Sequence, residues 1–89
     1  MQSARQRIKD AVTKCYEAYA EYSRVVYRID VVPAKVRAIS TPGRGEHSGW
    51  TINGRFYHLK SSIELEREFL ECASQWQAAL AEFHHEVSQ

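Results

Sequence analysis

Neither end of this chain contains a glycine or a proline. All four glycines and both prolines fall between Pro33 and Gly54, so the long flanks on either side carry no residue that breaks a helix through its own backbone. Other absences exclude whole classes of protein. No apolar run approaches the roughly 18 residues a membrane helix needs, and the charged start MQSARQRIKDAVTK lacks the apolar core of a secretory signal. A cytoplasmic chain is expected. There are only two cysteines, with no C-x-x-C spacing, so neither a disulfide framework nor a zinc site is indicated; Cys15 and Cys72 read as small buried hydrophobes. A net charge of +1 excludes a polycation.

What is present is strong helical patterning at both ends. From Ser61 onward, Phe69, Ala73, Trp76, Leu80, Phe83 and Val87 recur at alternating intervals of four and three, the seam of a heptad helix. Ser61-x-x-Glu64 fits a capping box, and Glu64, Glu66 and Glu68 place negative charge at the positive end of the helix dipole. The same alternation runs through Ile8, Val12, Cys15, Tyr19, Tyr22, Val26 and Ile29. Two helices are therefore expected, over about 3–28 and 61–87. The first has an ambiguous end, because Val25, Val26 and Tyr27 also suit a strand; the continuing heptad phase favours helix to about Arg28.

Between them the pattern changes. Asn53-Gly54, flanked by β-branched and aromatic residues, is the preferred pair for a two-residue type I′ turn, which sets Ile52 against Arg55, Thr51 against Phe56 and Trp50 against Tyr57. One face of that hairpin is expected to carry Trp50, Ile52, Tyr57 and Leu59. Lys35–Ser40 is a weaker third strand, and Thr41–Ser48 a loop. The expected architecture is α+β and mainly helical: a single domain of two long antiparallel heptad helices connected by a small two- or three-stranded antiparallel β-element.

Apolar residues seven apart beside the seams widen the apolar faces: Ala4, Ala11, Ala18 and Val25 on the first helix, and Leu65, Cys72 and Ala79 on the second. Either the central segment folding back or a second copy of the chain must cover the excess. A homodimer or higher oligomer is expected, with Ala11, Ala18, Tyr22, Cys72, Trp76, Ala79 and Phe83 at its interface.

Charge separates along the chain. Residues 1–27, 28–60 and 61–89 carry +2, +4 and −5. Attraction between the two helices accounts for the outer pair of values and leaves the central +4 unexplained. Basic residues interleaved with Trp50, Phe56, Tyr57 and His58 suit an acidic protein surface, for which Arg and aromatic side chains are favoured anchors. Nucleic acid or nucleotide is the alternative partner through the same hairpin, by phosphate neutralisation and base stacking. The plainer use of these aromatics is as the small core of the sheet. The expected partner-binding residues are Lys35, Arg37, Arg44, Trp50, Arg55, Tyr57, His58 and Lys60.

No catalytic constellation emerges. Glu82-x-x-His85 has di-iron spacing, but the heptad phase turns both residues outward, and His84 and His85 diverge by about 100° on a helix. A cysteine–histidine nucleophile pair, Cys15 or Cys72 with His47 or His58, would need a thiolate on an apolar stripe, where charge is disfavoured. Tyr16, Tyr19, Tyr22 and Tyr27 could line a pocket, yet Tyr19 and Tyr22 stand in the seam and are better used as core. A non-catalytic binding module, an adaptor or inhibitor without cofactor or metal, is the expected function class.

Overall fold

The computed structural model describes residues 2–41 and 48–88, and the path of the chain follows from its caps. Ser3 accepts the Gln6 N–H at 3.2 Å and starts α1 (Ala4–Tyr22), which continues as a single π-helical turn over Ser23–Tyr27. The helix therefore ends one residue short of Arg28, which takes the left-handed conformation that closes a helix, φ 56°, and donates its N–H to the Ser23 carbonyl. Three short strands follow, β1 (Ile39–Ser40), β2 (Gly49–Ile52) and β3 (Arg55–His58), and then α2 (Ser62–Val87). At its start both halves of the capping box form: Ser61 Oγ accepts from the Glu64 N–H, and the Glu64 carboxylate accepts from the Ser61 N–H. The mainly helical α+β class expected from the sequence is what the chain adopts.

The sheet has the order β1-β2-β3, antiparallel throughout. Its hairpin register is the expected one, Ile52 with Arg55, Thr51 with Phe56 and Trp50 with Tyr57, and Asn53 and Gly54 both hold positive φ. β1 is shorter than expected and starts at Ile39; the preceding Arg37 N–H donates instead to Asn53 Oδ1 at 2.7 Å. Leu59 does not extend the inner face. It turns to φ 55°, donates its N–H to the Ser48 carbonyl and lies exposed.

The helices are parallel rather than antiparallel, and this corrects the expected arrangement. Arg7 bonds Glu66 at 3.1 Å near the start of both helices, whereas Tyr19 and Tyr22 both stack on Trp76 far along both, with ring centroids 4.9 and 5.0 Å apart. Contacts that advance together along two helices require a common direction. The connection explains how this is achieved. Eleven residues from Arg28 to Ala38, mostly outside regular structure, span about 36 Å when extended, the same as 24 helical residues at 1.5 Å each. The chain thus runs back beside α1, with Val32 beside Tyr16 and Glu17 and Val36 beside Lys9, before the sheet forms level with the start of α1.

The core gathers at that end. Trp50 and Ile52 from β2 pack on Ile8, Ala11, Val12, Leu65 and Phe69, and Tyr57 meets Phe69 edge to face at 5.6 Å. Gly49 is required here: at φ 154° a Cβ would stand 2.2 Å from the Tyr57 carbonyl oxygen.

Candidate binding surface

The fold divides the expected partner-binding residues into groups with different fates. Trp50 is 9% exposed and part of the core, so it is a structural residue rather than a contact for a partner. Its position follows from strand alternation: Trp50, Ile52, Arg55 and Tyr57 share the face turned to the helices. Tyr57 is half-buried, with Arg55 over its ring at 5.5 Å, and burial pushes its hydroxyl pKa above the usual value. Lys60 is engaged in an ion pair with Glu68. His58 is exposed on the outer face, 5.8 Å from the ring of Phe56, which is 42% exposed. Arg44 lies outside the described residues, as does His47.

Lys35 and Arg37 remain, and the structure gives them company that the sequence did not suggest. Because the connection doubles back along α1, Arg37 joins Arg5 and Lys9 around a groove of about 220 Å³ whose apolar lining is Val36, Ala38 and Ile39. On its other side Arg37 joins Lys35 around a groove of about 650 Å³ lined by Tyr16, Val32, Pro33, Ala34 and Asn53. Among the described residues no ion pair engages Arg5, Lys9, Lys35 or Arg37. Arg5 and Lys9 were missed because they belong to a helix whose i, i+4 charges look like ordinary solvated surface. The signal that could have found them is the matched length of α1 and the segment after it.

The residues expected at an interface between copies also divide. Ala11 and Ala18 are buried within the chain, at 1% and 6% exposure, so they have no surface to offer a second copy. Their small side chains let α1 approach its own neighbours. Tyr22, Cys72, Trp76, Ala79 and Phe83 keep partial exposure.

The two cysteines stand at one level between the helices and line a single cavity of about 260 Å³ with Tyr16, Arg55, Tyr57, Glu68 and Phe69. Both are free thiols. Burial, with a hydrogen bond to Cys72, pushes the Cys15 thiol up to about 12, so it stays protonated at neutral pH and is a poor nucleophile there. Glu82, His84 and His85 are all exposed. Among the described residues no group of three or more His, Cys, Asp or Glu side chains is placed to hold a metal ion, and no helix is long and apolar enough to cross a membrane. No protein-family model matches the chain, and comparison with curated proteins and with solved structures gives no match.

Proposed function

We propose that the chain is a non-catalytic cytoplasmic binding module, an adaptor or inhibitor that assembles with copies of itself and docks an acidic protein partner. The observation that carries this reading is the group of four cations that no ion pair engages among the described residues, Arg5, Lys9, Lys35 and Arg37, around two apolar-lined grooves that meet at Arg37. An extended acidic segment with apolar side chains matches such a surface in both charge and lining. The hairpin's own contribution is narrower than its composition suggests, limited to Phe56 and His58 on its outer face and Arg55 at its margin. Nucleic acid is the weaker reading, because Trp50 and Tyr57, the aromatics best suited to stack bases, are turned toward the helices.

Affinity capture from the native host tests this, with the wild type and the Lys35→Glu/Arg37→Glu variant as baits. A protein retained by the first and lost by the second is the expected result. Binding of a labelled oligonucleotide that weakens steeply as salt rises, with no captured protein, overturns it in favour of a phosphate partner.

A further inference from the structure

β1 stands at the edge of the sheet, paired with β2 on one side only. Its register shows which backbone groups are left over. The Asn53 N–H donates to the Ala38 carbonyl at 3.2 Å, so ladder bonds fall at Ala38 and Ser40, and the N–H and C=O of Ile39 between them point away from β2. Upstream, no hydrogen bond engages the backbone N–H groups of Val31, Val32, Ala34, Lys35 or Val36 among the described residues. From Val32 to Ile39 the chain offers an unpaired edge about 23 Å long, at about 3.3 Å per residue.

A furrow follows that edge. Its β1 end is the groove of about 220 Å³ walled by Arg5 and Lys9 of α1 and by Val36, Arg37 and Ile39. Farther from β1 it continues as a groove of about 460 Å³ between Thr13 and Glu17 of α1 and Val32, Pro33 and Lys35. Lys9 and Val36 line both parts, which makes them continuous, and no residue of β2 lines either, which places the furrow on the free side of β1.

We propose that this furrow takes an extended acidic peptide of about seven residues, which adds to the free edge of β1 as a further strand. This rests on the acidic-partner reading and gives that partner a conformation and a residue pattern. Charge sets the chemistry. Arg5, Lys9, Lys35 and Arg37 line the furrow against one carboxylate among the described residues, Glu17, which lies at the end away from β1. An added strand turns every second side chain toward α1, so carboxylates at alternate positions near β1 meet Arg5 and Lys9, and an apolar residue farther along covers Val32 and Pro33. Main-chain bonds to Ile39 supply affinity that is independent of side chains. A phosphate backbone offers no donor for the Ile39 carbonyl.

Selection of a displayed library of random octapeptides on the full chain tests this. Sequences with carboxylates at alternate positions should be enriched. A synthetic peptide of the enriched sequence should bind the wild type and lose at least about tenfold in affinity to Arg5→Glu/Lys9→Glu, whose two positions are exposed. At saturation the peptide should also slow hydrogen exchange of the Ile39 amide at least about tenfold, which docking through side chains alone would not do. That measurement needs only the wild type and decides the matter should the double variant fail to fold. Peptides without the acidic pattern, equal affinity for the variant, or an Ile39 amide that exchanges as before would overturn this inference alone. So would a library that yields nothing while a captured protein is still lost from Lys35→Glu/Arg37→Glu. Neither an enriched peptide nor a captured protein would overturn the acidic-partner reading as well.

Discussion

Leu65 and Leu80 lie on one helix and meet opposite surroundings. Leu65 sits under the sheet with no exposure at all, packed among Ile8, Val12, Trp50 and Phe69, whereas Leu80 lies beyond the reach of the sheet and stays partly exposed. The residue type is the same, and so is the helical periodicity that placed it. What differs is the third layer. Two helices alone do not enclose a core, and only the half of the pair roofed by β2 and β3 is a folded interior in the full sense. The tail half holds together through rings at its edges, Tyr19 and Tyr22 against Trp76 and Tyr27 against Tyr22.

Truncation of the two leucines gives the largest expected contrast. Leu65→Ala should cost about 3–4 kcal/mol in chemical denaturation, the cost of a cavity in a closed core. Leu80→Ala should cost about 1 kcal/mol or less in dilute protein, where water already reaches the site. Equal costs would mean that the tail is enclosed within the monomer, and the contrast between the halves would be lost.

Removing the roof is the next test. Gly49→Ala puts a methyl group against a backbone carbonyl that cannot swing aside, and about 2–3 kcal/mol of destabilisation is expected. The fluorescence of Trp50 should shift toward that of a solvated indole. Tail contacts such as Tyr19 with Trp76 should survive, because they do not depend on the sheet.

How much of this was legible in the sequence follows the range of each signal. Helix starts were, because Ser3 and Ser61 act on backbone groups within three residues of themselves. So was hairpin register, since Asn53-Gly54 admits one short turn. Helix direction was not: a heptad pattern identifies the face a helix buries and is silent on whether its neighbour runs up or down. The same gap led Trp50 to be counted as a partner contact, since strand alternation separates two faces without saying which one the helices will cover. The missing information lay in a length, the eleven residues after Tyr27 that retrace α1, and a composition rich in Val31, Val32 and Val36 fitted an extended path. Alanine stripes misled for a related reason. Ala11 and Ala18 mark close packing without saying whether the neighbour belongs to the same chain.

A smaller effect probes the boundary between the halves, where Cys15 and Cys72 meet. The Cys15 thiol has its pKa raised from 9.0 to about 12, mainly by burial. A group held protonated by the fold contributes stability that is complete below its unfolded pKa and is lost as pH climbs to the folded value. Unfolding free energy should therefore fall between pH 9 and about 12. In Cys15→Ala the fall should be shallower, with a remainder from Tyr57 and Tyr22, whose hydroxyls are also raised above 10. An unchanged slope would mean that this thiol is solvated and that the covered half ends before Cys15.

The weakest interaction gives the sharpest test of direction. Arg7 and Glu66 are partly exposed, so their ion pair contributes little, on the order of 0.2–1 kcal/mol. Its value lies in where it can exist. In a parallel pair these residues share the first turns of both helices, whereas an antiparallel pair would separate them by most of a helix length, about 25–30 Å. At that distance screening leaves no measurable coupling. A double-mutant cycle through Arg7→Ala, Glu66→Ala and both together should return a coupling energy of about 0.5 kcal/mol that shrinks in high salt. Additivity in low salt would remove the pair, and with it the closest contact that fixes the common direction of the helices. The uncovered tail would then need another explanation, since in an antiparallel hairpin the sheet would cover the start of one helix and the end of the other.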